Sequence, residues 1–258
     1  MSRFFVDSSA IGDGLIRIEG LDARHILQVL RMKCGDPVTV CDGAGTEYFC
    51  RILTAESGAL TAEILKSEAS AQELPVQITL YQGLPKKDKM DLIVQKAVEL
   101  GASEIVPVMM KRTIVKLDDP KKEEKKTERW NAIAKSAAEQ SGRGRIPVVR
   151  PVVTFAEAVR EAGAMNDGLL PYECADGMSR SMEVVKRAAA CGSVAVFIGP
   201  EGGFEEDEVK LAEEAGIVPV TLGKRILRTE TAGLCILSLL MAEAECLEEE
   251  RKLRGSLS

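Results

Sequence analysis

The run from Val194 to Gly233 constrains the fold most, because two apolar segments in it each end in a glycine-bearing loop that leads into a helix pattern. Val194-Ala-Val-Phe-Ile198 is short, apolar and β-branched, which predicts a buried strand. Gly199-Pro-Glu-Gly-Gly203 interrupts it. From Glu205 onward, acidic residues fill what reads as a first helical turn, where they suit the positive end of the helix dipole. Gly216 ends that helix and Val218–Leu222 predicts a second strand. A polar loop, Gly223–Ala232, then leads to a helix over Gly233–Ala244. That last helix is apolar nearly all round, so it is expected to be buried, in its own core or against a partner. Two strands that deliver two such loops suit an open α/β sheet binding a ligand beyond its strand ends. Neither loop is a dinucleotide GxGxxG or a GxxxxGK[ST] phosphate loop.

The first part of the chain has a different texture. Leu15–Ile18, Pro37–Cys41, Glu47–Leu53 and Ala59–Leu65 are short strand-like runs separated by turn residues at 35–36, 42–45 and 57–58. A helix pattern interrupts them, with Asp22 as its cap and Ile26, Leu27, Val29 and Leu30 on its apolar face. This predicts a small barrel. Lys66–Pro75 is small and polar and reads as a linker. Beyond it, strands at 76–81, 105–109 and 167–171 alternate with helices at 91–100, 130–141, 155–162 and 182–191. That alternation predicts an α/β domain with a mostly parallel sheet. The domains are accordingly drawn at residues 1–70 and 74–258, with Leu117–Glu128 read as an exposed loop running into a helix start.

Composition narrows the class. The chain is 45% hydrophobic and 29% charged, enough for a core and too polar for a membrane protein. No apolar run reaches the roughly 18–20 residues a spanning helix needs, and the N-terminus lacks a signal-peptide h-region. Seven scattered cysteines without CxxC spacing read as core residues in a reducing compartment, neither disulfides nor metal ligands, so a cytoplasmic protein is expected. The net charge of −6 argues against nucleic acid as a partner when taken alone. Between Lys86 and Arg145, however, 15 Lys/Arg face 10 Asp/Glu, and phosphate contact needs only a basic face.

The pair Gly199-Pro-Glu-Gly-Gly-Phe204 and Leu222-Gly-Lys-Arg-Ile-Leu-Arg-Thr-Glu-Thr-Ala232 is more specific than any generic loop. Together the two stretches resemble the bacterial RNA methyltransferases that methylate N3 of a uridine in 16S, small-subunit ribosomal RNA. Arg3-Phe-Phe5, Arg24–Arg31, Gly83–Met90, Lys96–Gly101 and Arg112-Thr113 match the same family. The resemblance implies a knotted SPOUT-type methyltransferase domain preceded by a PUA-like β-barrel that holds RNA. It also implies S-adenosylmethionine as cofactor, ribosomal RNA or the assembled 30S subunit as partner, and a homodimer formed through the last helix.

Candidate site residues follow from this match. Arg228 is the expected cation for a developing uridinate, Glu201 an orienting carboxylate or base with Glu230 in reserve, and Arg143 an arginine near the transferred methyl. The alternatives are a mutual Arg228–Glu230 salt bridge, a dipole-stabilised Glu201, and an Arg143 that merely caps its helix. Leu170, Gly199, Gly203, Leu222, Gly223 and Leu227 are expected to line the cofactor pocket, and the glycines at 199, 202, 203 and 223 to permit close backbone approach. Thr229 and Thr231 either donate hydroxyls or cap the last helix. Arg3, Arg24 and Arg31 are candidates for phosphate contact, as are Lys86, Lys87, Lys89 and Arg112 on a second rim; a solvated surface is the alternative for each. His25, the sole histidine, reads as a packing or RNA-contact residue, and Trp130 as a core anchor. Methyl transfer to another RNA or to a ribose 2′-hydroxyl, and an RNA-binding assembly factor without turnover, are the rival functions.

Overall fold

The structure, a computed structural model, describes residues 3–56, 58–115, 119–175 and 177–255. Ser57 of the expected 57–58 turn and Leu117–Asp118 of the expected charged loop lie outside them. Two compact units are present: Met1–Glu73 with Ala138–Ile146, and Leu74–Ala137 with Pro147–Ser258.

The first unit holds β1 (Arg3–Phe5), β2 (Ile11–Gly12), β3 (Leu15–Glu19), α1 (Gly20–Arg24), β4 (Pro37–Cys41), β5 (Thr46–Glu56) and β6 (Ala59–Ala69). They form one six-stranded sheet in the order β1-β4-β5-β6-β3-β2, antiparallel except where β1 meets β4. Alternate residues of β3, Ile16 and Ile18, turn inward and pack with Ile26, Val38, Val40, Ile52 and Leu60. That is the period of two expected for a strand with one wet face. Two details differ from the pattern in the sequence. The helix begins after Glu19, which makes no side-chain cap, leaving Asp22 inside its first turn, and it continues as a π-helical turn over His25–Val29. β6 also runs to Ala69, so much of the expected linker is strand. Residues 65–69 are exposed, and a strand end wet on both faces carries no apolar alternation to announce itself.

The second unit holds β7 (Gln77–Gly83), α2 (Lys89–Glu99), β8 (Glu104–Met109), the body of α3 (Pro120–Ser141), β9 (Val148–Val149), β10 (Val153–Thr154), α4 (Phe155–Ala162), β11 (Asp167–Pro171), α5 (Met178–Ala189), β12 (Ser193–Ile198), α6 (Glu206–Glu214), β13 (Val218–Val220) and α7 (Thr229–Gly255). Its seven strands are all parallel, ordered β10-β8-β7-β12-β11-β13 with β9 beside β8. Buried on both faces, β7, β8 and β12 read as near-continuous apolar runs. Tyr81 stacks on Phe197 with centroids 4.6 Å apart, and Phe155 meets Phe197 edge-on at 5.8 Å. Inside this layer, burial pushes the Tyr81 phenol up to about 12.

α3 starts at Pro120, where a proline suits a first helical position, and not beyond the charged run. Its early turns are mostly exposed, so mixed charge there reflects a solvated helix face. Trp130 is buried, as a core anchor should be. The last turn of α3 and the segment after it, which the sequence reading places in the second domain, belong to the first unit. Arg143 and Glu73 account for this: their ion pair is 2.5 Å long, and Glu73 also accepts the backbone N–H groups of Gly144 and Arg145.

Candidate active site

In a parallel sheet every strand ends on the same edge, so the connections that follow those ends gather together. Here the segments after β7, β11, β12 and β13 line one cavity of about 380 Å³. Its walls are Lys89, Pro171, Glu173, Ile198–Phe204, Ile226–Thr229 and Ala232. A smaller cavity of about 80 Å³ adjoins it, sharing Pro171, Glu173, Ile226, Leu227 and Ala232 and adding Tyr172, Thr221, Leu222, Gly223 and Arg225. Close backbone approach shapes the larger one. A Cβ on Gly83 would sit 2.6 Å from the Pro200 nitrogen, so the end of β7 touches the Gly199–Gly203 loop directly. Gly203 has φ +70°, where a side chain is strained, and a Cβ there would come within 3.1 Å of a Glu173 carboxylate oxygen.

The start of α7 is fastened to this loop through buried polar groups. Gln82, fully buried on β7, donates through Nε2 to the Thr229 hydroxyl at 2.9 Å. That hydroxyl in turn donates to the Gly199 carbonyl at 2.6 Å. Thr229 is therefore committed to structure, and α7 begins four residues before the expected Gly233.

Charge in the larger cavity is organised around Lys89. Its ammonium lies 3.1 Å from Glu201 and 3.2 Å from Glu230, which leaves no Arg228–Glu230 pair. Glu201 also accepts the Lys86 backbone N–H at 3.1 Å. Burial pushes the Glu201 carboxyl up, but its own backbone N–H, the Lys89 ammonium and the Lys86 N–H outweigh burial and hold it below the usual value. The Lys89 ammonium is raised, chiefly by its hydrogen bond to Glu201, against partial desolvation and with help from Glu230. A carboxylate held this way is a weak base and a firm anchor. Arg228 lines the same cavity, is exposed, and makes no side-chain hydrogen bond or ion pair among the described residues.

Of the expected site residues, Arg228, Glu201, Gly199, Gly203, Leu222, Gly223 and Leu227 come together on these walls. Leu170 does not. It is fully buried in the sheet core, because strand alternation turns it inward and leaves Pro171 facing the cavities. Arg143 lines neither cavity; it is buried in the first unit against Glu73. Arg3 is no open phosphate contact either, since it bonds Glu47 at 3.1 Å and Gln72 at 2.8 Å. Arg112 bonds Glu205 at 2.8 Å and the Gly202 carbonyl at 2.8 Å, holding the loop edge. Lys89 belongs inside the cavity and not on a rim. Arg24, Arg31, Lys86 and Lys87 have exposed side chains. Glu173 is a wall residue that no motif flagged, and Ile226 lies within the Leu222–Ala232 motif without being named for the site; the two-cavity wall exists only once β11 and β13 are paired.

The comparisons with known proteins agree with this architecture. A family model described as an RNA methyltransferase domain matches residues 72–241, and one described as an RNA methyltransferase PUA domain matches residues 18–65. The chain belongs to this RNA methyltransferase family. It is 36% identical to the ribosomal RNA small subunit methyltransferase E of Bacillus subtilis, over 97% of this chain and 100% of that protein. It is 32% identical to the protein of that name in Mycobacterium tuberculosis, over 89% of this chain and 87% of that one. The solved structure of a ribosomal RNA small subunit methyltransferase E from Neisseria gonorrhoeae, bound to S-adenosyl methionine, is similar with a TM-score of 0.76. That match is at 34% identity and covers 94% of this chain and 97% of the other. The fold is thus a SPOUT-type methyltransferase domain with a PUA-like unit before it.

Proposed function

We propose that this chain transfers a methyl group from S-adenosylmethionine to N3 of a uridine in 16S ribosomal RNA. What carries the reading is Arg228, an unpaired cation beside an anchored glycine-rich loop in the larger cavity. The names of the relatives, and the S-adenosyl methionine held by the Neisseria protein, support the substrate and the cofactor. The residues present fit that group. The larger cavity, about 380 Å³, falls in the size range of small-molecule sites and the smaller one extends it, and Gly199 and Gly203 are packed so closely that side chains there would intrude. Leu222, Gly223 and Leu227 in the smaller cavity would hold its adenosine, and the Gly199–Gly203 loop its remainder.

S-adenosylmethionine supplies a methyl group already activated on a sulfonium. The protein's work is to align the acceptor and make it nucleophilic. Uridine N3 must lose its proton, and the charge then spreads over the base carbonyls. Arg228, which lines the cavity with no side-chain partner among the described residues, stabilises that anion as it forms. Glu201, held by Lys86 and Lys89, positions the loop and is not the base; the proton leaves to solvent. The chain acts in the cytoplasm as a homodimer on small-subunit RNA or the assembled 30S subunit, and the knot implied by the family resemblance is part of this proposal. Of the seven cysteines expected in the core, only Cys41 and Cys50 are buried, their thiols pushed up to about 12 and about 11; Cys34, Cys174 and Cys246 are exposed.

A methyl-transfer assay with labelled S-adenosylmethionine on unmethylated small subunits and on naked RNA tests the reading. N3-methyluridine in the digested product supports it. Label in ribose, or on another base, overturns the assignment of the atom.

A further inference from the structure

Most carboxylates near the cavity have a partner. Glu201 and Glu230 hold Lys89, Glu205 holds Arg112, and Glu208 accepts the Lys111 backbone N–H. Glu173 is different. It lines both cavities, packs over Gly203, and makes no hydrogen bond or ion pair among the described residues. Its position is built, because Gly203 takes a left-handed conformation and leaves no Cβ where the Glu173 carboxylate lies. An exposed carboxylate on the wall between two ligand cavities, with only the more distant Arg112 charge acting on it, is open to pairing with a cationic ligand.

Resting on the methyl-transfer reading, we propose that Glu173 recognises the positive charge at the centre of the methyl donor and so separates donor from spent product. The chemistry of the donor places that charge. Its sulfonium joins the adenosine to the amino-acid chain. With adenosine in the smaller cavity and the amino-acid end in the larger, the wall they share faces the middle of the molecule. After transfer the sulfur is a neutral thioether, and the attraction to Glu173 ends. Glu173 thereby favours binding of the charged donor and release of the uncharged product.

Three ligands with the same two ends isolate the central charge: S-adenosylmethionine with its sulfonium, sinefungin with an ammonium at that place, and S-adenosylhomocysteine with a neutral thioether. Their dissociation constants are measured by calorimetry for the wild type, Glu173→Gln and Glu173→Asp, with thermal melts to verify folding. Expected is a loss of about fivefold for the two charged ligands in Glu173→Gln, the size of a partly exposed ion pair, with S-adenosylhomocysteine unchanged. Glu173→Asp should keep part of the discrimination, and added salt should reduce it in the wild type. Equal losses for all three ligands would overturn the proposal, since Glu173 would then act on an end they share. No loss for any of them would overturn it too. A wild type that binds none of the three overturns the cofactor reading itself, and with it this proposal.

Discussion

At the scale of single residues, Arg228 and Glu201 are distinguished by what already holds them. Arg228 has no side-chain partner among the described residues, so its charge is available; removing it should strip charge stabilisation from the transition state and little else. Arg228→Ala is expected to lower single-turnover methyl transfer by about a hundredfold or more, with the dissociation constant for S-adenosylmethionine changed little. Comparable losses in both measurements would make Arg228 a binding residue instead. Glu201 is held below its ordinary value, so its tie to Lys89 is present above about pH 4.3 and is lost as pH falls through the lower folded value. Lys89 is raised, so its contribution is present below about pH 10.4 and is lost as pH rises through the higher folded value. Between these limits neither group titrates. A rate that climbs with pH from about 6 to 9 therefore belongs to the uridine N3 proton. Glu201→Gln is expected to keep that climb while lowering the rate roughly tenfold through a looser loop. If Glu201 were the base, the climb would vanish and the loss would reach about 10² to 10⁴.

At the scale of elements, the site depends on how β7, the Gly199–Gly203 loop and the first turn of α7 lock together. Thr229→Val removes the hydroxyl that links Gln82 to the Gly199 carbonyl, leaving both without that partner in a buried place. A loss of about 1–3 kcal/mol is expected in urea unfolding, with the midpoint shifting and the slope unchanged. Gly83→Ala would press a methyl onto the backbone at Pro200, which has no flexible end to move aside. It should cost about 1–3 kcal/mol or abolish soluble expression, whereas Gly223→Ala meets nothing within 4 Å and should cost only the backbone strain of a side chain at φ +110°. These contacts show which parts of the site were legible in the chain. The strands and helices around Val194–Gly233 announce themselves through apolar runs and glycine stops, and the two motifs bring Glu201 and Arg228 to one cavity. Glu173 and Gln82 carry no local signal, and Lys89 reads only as a rim cation, because each matters through a residue between 30 and 147 positions away. Leu170 shows the complementary limit: a motif can locate a segment beside a pocket one residue away from the side chain that faces it.

At the scale of the whole molecule, the net charge of −6 and an RNA substrate must coexist, and the answer lies in which cations are already spent. Arg3, Arg112, Arg143 and Lys89 are tied to carboxylates. A count of basic residues along the chain treats them as equal to Arg24, Arg31, Lys86 and Lys87, which is why the sequence could suggest RNA contact without sorting its contributors. The two groups should respond differently to substitution. Arg24→Ala and Arg31→Ala are each expected to weaken RNA binding and to make its dependence on salt shallower, by about 0.7 in the log–log slope for a single-stranded contact, with melting temperature unchanged. Arg3→Ala should do the reverse. It leaves Glu47, with a side chain only 6% exposed, without its cation, so stability should fall by on the order of 2 kcal/mol while the salt slope stays as it was. Filter binding of a small-subunit RNA fragment from about 50 to 200 mM salt, paired with thermal melts, separates the two responses. A shallower slope for Arg3→Ala would mean that its pair with Glu47 opens when RNA binds. An unchanged slope for both Arg24→Ala and Arg31→Ala would move the RNA footprint off α1 and the segment that follows it, leaving Lys86 and Lys87 as the cations to test next.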